Sequence, residues 1–219
     1  MLAVTLGDME LGRPLAAVTP SVDGDVLRVL ALAEADFTPG QLREVVGDHS
    51  VAGIRRALDR LVLQGVVHRR PAGRAYLYSL NREHLAADPV IALARSRERL
   101  IERLTAHVTV WPEPPLFGAL FGSAARSDHS PSSDLDLLLV HPDSADADVW
   151  GSLVSELSAA ATRWTGNDAR VLQYSAANIV ARPDEPVLLS IIDEGLHFAG
   201  DPAWLRSTVR RARTARSRG

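Results

Sequence analysis

The sequence contains no cysteine and no lysine. The first absence excludes disulfides, zinc knuckles, iron–sulfur clusters and thiol nucleophiles. The second excludes Schiff-base chemistry and any phosphate site built around a lysine, and it leaves all 24 basic residues as arginine. Aromatic residues make up only 5% of the chain, which argues against a broad base-stacking surface. No run approaches the ~18 apolar residues of a membrane span. The opening stretch MLAVTLGDMELGRP meets Asp8 and Glu10 before an apolar run develops, so no signal peptide is expected. The expectation is a soluble cytoplasmic protein with no membrane partner. What is present is a globular composition of 219 residues, 46% hydrophobic and 23% charged, sufficient for one large domain or two small ones.

The net charge of −3 conceals opposed regions. Residues 50–80 carry six arginines against Asp59 alone, whereas residues 111–201 carry four arginines against fourteen acids. Residues 202–219 add six arginines and no acid. A basic block beside an acidic one suggests that one part meets polyanions and another holds cations.

A proline-rich break at Val110–Pro115 divides the sequence into halves, with no internal repeat. In the first half, Val26, Leu27, Leu30 and Ala33 recur at helical spacing after an N-terminal extension of about 20 residues. Thr38, Pro39 and Gln41 form a capping box with proline at the first helical position. A turn at Gly47–His49 follows, and Ser50 caps a third helix whose stripe is Ile54, Ala57, Leu58, Leu61 and Val62. Gly65 ends that helix. Two β-like runs, Val66–Arg70 and Arg74–Leu80, are joined by Pro71–Gly73 as a hairpin.

Three helices and a hairpin over residues 21–84 resemble the winged helix-turn-helix domain of bacterial transcription regulators. The resemblance implies a partner, double-stranded DNA. Arg55, Arg56 and Arg60 lie off the apolar stripe of the third helix, where arginine can chelate guanine edges or phosphates. Arg69, Arg70 and Arg74 lie on or near the wing. A helix from Asp88 to about His107 then leads into the break as a linker over 85–114, and its edge of Ile101, Leu104 and Val108 could serve internal packing or a homodimer seam.

The second half opens with an apolar strand ending in Gly122-Ser123, a polar turn with Arg126 and Asp128, and a second apolar strand carrying Asp134 and Asp136. Alternation places both carboxylates on one face, where they can share a divalent ion at ~2.1 Å. Gly122 allows close approach of backbone to a triphosphate, Ser123 can donate to it, and residues 123–127 can start a helix. Ten residues separate Ser123 from Asp134. This pattern resembles the signature of the DNA polymerase β superfamily of nucleotidyltransferases, in the variant found in small bacterial members, including those of toxin–antitoxin pairs. The resemblance covers about residues 115–200. It implies that Asp134 and Asp136 are catalytic metal ligands for Mg²⁺ or Mn²⁺, and that Gly122, Ser123 and Arg126 bind the nucleotide. Asp128 reads as a turn residue.

The sequence departs from that family in one respect. Active members place a third carboxylate on a later strand; here that strand, 169–174, holds no acid, Leu172 or Gln173 takes the expected position, and Asp168 precedes it. An amphipathic helix over 146–164 and a helix from Pro186 towards Gly195 complete this half, with the arginine-rich tail after residue 200 as a basic helix or frayed arm.

The fold class expected is therefore a two-domain α/β protein: an N-terminal winged helix and a C-terminal nucleotidyltransferase-like domain with a mixed sheet. The function expected is DNA binding joined to transfer of a nucleoside monophosphate from an NTP to a protein, RNA or small-molecule hydroxyl. The alternative is a non-catalytic transcription regulator or antitoxin-like repressor whose second domain senses nucleotide or binds a partner.

Overall fold

The computed structural model describes residues 9–47, 49–126 and 133–217. It is a mixed α/β structure with two compact units, one spanning Arg13–Arg97 and the other joining Met1–Gly12 to Glu98–Gly219. Asp48, in the expected turn after the second helix, and Asp128 lie outside the described residues.

In the Arg13–Arg97 unit, helices α1 (Val22–Leu32), α2 (Pro39–Val46) and α3 (Val51–Leu63) precede a hairpin of β1 (Val67–Ala72) and β2 (Ala75–Leu80). The caps are those the sequence indicates. Thr38 accepts from the Gln41 amide at 3.2 Å while Gln41 accepts from the Thr38 amide at 2.8 Å, and Ser50 accepts from the Gly53 amide at 3.1 Å. The stripe of α3 is buried at Ile54, Ala57, Leu58 and Leu61, against Val26, Leu30, Leu42, Tyr78 and Leu80. The hairpin differs from expectation. Pro71 pairs with Tyr76 inside the ladder, so the turn is Gly73 and Arg74, with Gly73 at φ 61° supplying the left-handed backbone that a tight turn requires. Phe37 also bridges Tyr78 through two 2.8 Å bonds, adding an extended residue beside the hairpin.

The helix expected from Asp88 to His107 is two helices, α4 (Ala87–Ala94) and α5 (Ser96–Thr109). The interruption falls where the Ser96 hydroxyl donates to the Leu93 carbonyl at 2.7 Å, competing with the helical backbone. The division between units accordingly lies at Arg97/Glu98 and not at the proline-rich break. Leu100, Leu104, Val108 and Trp111 are buried in the core of the second unit, so this segment is part of that unit and not a linker.

That second unit is built on a four-stranded sheet in the order β5-β4-β3-β6, from β3 (Phe117–Phe121), β4 (Leu135–His141), β5 (Ala169–Ser175) and β6 (Leu196–Gly200). β3 is antiparallel to β4 and β6, and β4 is parallel to β5, so the sheet is mixed. Both faces are covered, which explains the continuous leucine run of β4. Leu135, Leu137 and Leu139 pack with α5 and with Trp150, Val154 and Leu157 of α7 (Ala147–Thr165). Leu138 and Val140 pack on the other side with Ile179, Leu188, Ile191, Leu205 and Val209. These belong to α8 (Ala176–Ala181), α9 (Pro186–Glu194) and α10 (Trp204–Arg216), with α6 (Ser123–Arg126) a single turn after β3. The arginine-rich tail is thus a packed helix through residue 216: Leu205, Val209 and Ala212 are buried, and Arg213 and Arg216 meet Asp184 at 2.8 and 3.5 Å.

Candidate functional site

β3 and β4 pair so that Phe121 stands opposite Asp136. Since Leu135, Leu137 and Leu139 enter the α5/α7 core, alternation puts Asp136 on the opposite face, and Asp134 two residues earlier lies on that same side. Gly122 follows directly at φ 72°, and a Cβ built on it would stand 2.7 Å from Asp136 Oδ2. The bend and the carboxylate are therefore packed together, with no room for a side chain between them. Ser123 is half-buried at the start of α6. Arg126, at the end of that turn, reaches Glu194 at 3.2 Å.

Two carboxylates on one strand face beside a side-chain-free bend form an oxygen donor set that suits a hard divalent cation. Among the described residues, no third histidine or acid completes a cluster with them. The neighbouring strand instead brings an arginine. In the parallel β4–β5 ladder, Arg170 is level with Asp136, so the two share a face. Arg170 Nη1 lies 2.6 Å from Asp134 Oδ2, and its Nε lies 3.2 Å from Asp168 Oδ2. Leu172 and Gln173, the residues expected where a third carboxylate would stand, lie further along β5: Leu172 pairs with Leu138, and Gln173 faces α7, where it accepts from Trp150 Nε1 at 3.0 Å.

A residue just beyond the end of α7, which the sequence does not single out, also positions the site. Asn167 is fully buried; its Nδ2 donates to the Ser133 carbonyl at 3.1 Å and its Oδ1 accepts from the Met9 amide at 3.2 Å. It fixes the backbone immediately before Asp134. Its signal in the sequence was slight, an asparagine after the Gly166 that ends α7. Further along the same face, the Tyr174 hydroxyl donates to Glu185, and burial together with that carboxylate pushes the phenol up to about 12.

In the Arg13–Arg97 unit the arginines expected to face DNA separate into two sets. Arg60 grips Asp23 with two bonds of 3.0 and 2.6 Å, which hold the Asp23 carboxyl below its ordinary range. Arg70 pairs with Asp36, and Arg69 stacks over the Tyr76 ring at 4.9 Å while lying 3.8 Å from Asp59. Arg55 and Arg56 on α3 and Arg74 in the hairpin turn are exposed and have no acidic partner among the described residues. Asp25, on α1, is only 6% exposed and receives both Arg13, at 2.8 and 2.7 Å, and His49 at 2.8 Å. Burial alone would raise the Asp25 carboxyl, but the bonds from Arg13 and His49 outweigh it and hold the group low.

Residues 111–180 match the family profile described as "Nucleotidyltransferase domain". No curated protein matches the chain. Among solved structures, a toxin–antitoxin solved with AMP-PNP is 16% identical, with 55% of this chain and 87% of that one covered at a TM-score of 0.38. A chain in the structure of the tri-AMPylated Shewanella oneidensis HEPN toxin in complex with MNT antitoxin is 13% identical over 56% of this chain and 87% of that one, TM-score 0.36. TrmBL2, an archaeal chromatin protein, is 15% identical over 80% and 72%, TM-score 0.26.

Proposed function

We propose that the unit built on β3–β6 is a nucleotidyltransferase that moves a nucleoside monophosphate from an NTP to an acceptor hydroxyl, and that the Arg13–Arg97 unit binds double-stranded DNA. The observation that carries the first part is the juxtaposition of Asp134 and Asp136 on one strand face with the Gly122 bend, inside the segment that matches the nucleotidyltransferase profile. In such a transfer the acceptor oxygen attacks the α-phosphorus, the bond to the bridging oxygen breaks, and pyrophosphate leaves with that electron pair while the hydroxyl proton passes to solvent. Gly122 lets the backbone approach the phosphates, and Ser123 can donate a hydrogen bond to one of them. Asp134 and Asp136 would hold Mg²⁺ or Mn²⁺, which when bound neutralises the charge that develops on phosphate.

For DNA, Arg55 and Arg56 on the exposed face of α3 and Arg74 at the hairpin tip supply uncommitted positive charge on two elements that a winged helix presents to a duplex. Arg69 keeps one face of its guanidinium on Tyr76 and adds a fourth contact at the wing.

A second reading is favoured by one contact. The arginine on Asp134 suits a domain that binds nucleotide without transferring it, and so acts as a sensor for the DNA-binding unit. Incubation with labelled ATP, GTP, CTP and UTP in Mg²⁺ or Mn²⁺, with protein, tRNA and small-molecule fractions as acceptors, tests both. Label that appears with wild type and is lost in Asp136→Ala establishes transfer. Nucleotide binding without label assigns the sensor, and absence of any nucleotide binding overturns both readings.

A further inference from the structure

We propose that Arg170 is a built-in competitor for the divalent cation at Asp134, so that the acidic site is self-neutralised until its guanidinium is drawn away. The inference rests on the metal-site reading above and says how that site is regulated.

Three observations carry it. Arg170 is placed by the backbone and not by a chance rotamer, because the parallel register sets it level with Asp136 on the face that both aspartates share. Its Nη1 is 2.6 Å from Asp134 Oδ2, on an oxygen that a divalent ion would need. Its Nε is held at 3.2 Å by Asp168, so a second carboxylate anchors the group and can keep it when Asp134 turns to a metal. A guanidinium remains charged at every physiological pH, so no change of protonation relieves the competition. Both partners are partly open to water: Arg170 is 64% and Asp134 34% exposed. An exposed pair is weak by itself, so a divalent ion or an anionic phosphate group can displace it. The expected consequence is lowered metal affinity and not exclusion. Phosphate oxygens entering beside Gly122 would accept from Arg170 and free Asp134, which makes nucleotide and metal mutually supporting ligands.

The experiment measures Mn²⁺ bound by the full chain, in the absence of nucleotide, from the electron paramagnetic resonance signal of the free ion. Wild type is expected to bind weakly. Arg170→Gln should bind on the order of tenfold more tightly or better, because a positive charge in contact with a ligand has been removed. Arg170→Lys, which keeps the charge, should stay near wild type, and Asp134→Asn placed on top of Arg170→Gln should erase the gain. If Arg170→Gln and wild type bind Mn²⁺ equally, the competition is refuted while the acidic site stands. If no variant takes up Mn²⁺ at millimolar concentration, the metal-site reading itself falls and the competition falls with it. Arg170 is largely exposed, so folding of the variants is expected to be intact, and circular dichroism checks it.

Discussion

Gly122 and Asp136 are packed so closely that a single methyl group cannot be placed between them. The backbone at 122 turns through φ 72°, and a Cβ there would stand 2.7 Å from the Asp136 carboxylate. Glycine is thus demanded twice, once by conformation and once by the neighbour that faces it.

Replacement of Gly122 by alanine should therefore harm both stability and the site. The left-handed backbone costs an L-residue about 1–2 kcal/mol, and the carboxylate must move aside. Urea unfolding should show that loss, and Mn²⁺ binding should fall as far as it does in Asp136→Asn. Gly151, inside α7, gives the contrast, because a Cβ there meets nothing within 4 Å. Gly151→Ala is expected to stabilise by roughly 0.5–1 kcal/mol and leave Mn²⁺ binding unchanged. Equal behaviour of the two alanine variants would remove the special role of the bend.

The arginines of the Arg13–Arg97 unit should differ in how they affect DNA affinity. Each phosphate contact contributes close to one unit to the slope of log affinity against log salt. Arg55→Ala, Arg56→Ala and Arg74→Ala each remove a charge with no acidic partner among the described residues and should weaken binding while reducing that slope by about one unit where the contact is to phosphate. Arg60→Ala and Arg70→Ala remove charges already balanced by Asp23 and Asp36, so the slope should hold. Fluorescence anisotropy on a duplex over a range of salt separates these outcomes. Equal slopes for all five variants would take DNA away from this face.

The contrast between those arginines also shows where sequence reading reaches its limit. Local signals were legible: the capping box at Thr38, the cap at Ser50, the stripe of α3 and the alternation that sets Asp134 and Asp136 on one face all depend on residues within a few positions of one another. Arg60 and Asp23 are 37 residues apart, and Arg170 and Asp134 are 36 apart, so their pairing depends on packing and strand register that no local pattern encodes. That Arg170 stands level with Asp136 has the same origin. A parallel partner has no connecting turn to fix its register. The proline-rich break misled in the opposite way, since its local chemistry was read correctly while Trp111 and the helix before it were claimed by a distant core.

Asp25 predicts an acid-sensitive element within the Arg13–Arg97 unit. A carboxyl held below its ordinary value of 3.8 stabilises the fold fully above about pH 4, and that contribution disappears as pH falls through the lower folded value. At pH 7, Asp25→Asn should cost roughly 1–2 kcal/mol, a modest figure because Arg13 is half-exposed and can return to water. Urea unfolding at a series of pH values should show the gap between wild type and variant closing towards pH 2. A gap that stays constant with pH would mean that packing, and not the charge shared with Arg13 and His49, holds Asp25 in place.

Asn167 makes the final test, because it fixes the chain immediately before Asp134. Its amide holds the Ser133 carbonyl at 3.1 Å from a fully buried position, so Asn167→Leu leaves that carbonyl without its donor at a cost of about 1–3 kcal/mol. A purely structural role predicts lower stability and unchanged Mn²⁺ affinity per folded molecule. A positioning role predicts that affinity falls as well, since Asp134 begins from a loosened backbone. Asn167→Asp sets an acceptor-only carboxylate against the Ser133 carbonyl in a fully buried place, so it should lose at least as much stability as the leucine variant and Mn²⁺ affinity with it. Unaltered affinity in both variants would confine Asn167 to the core.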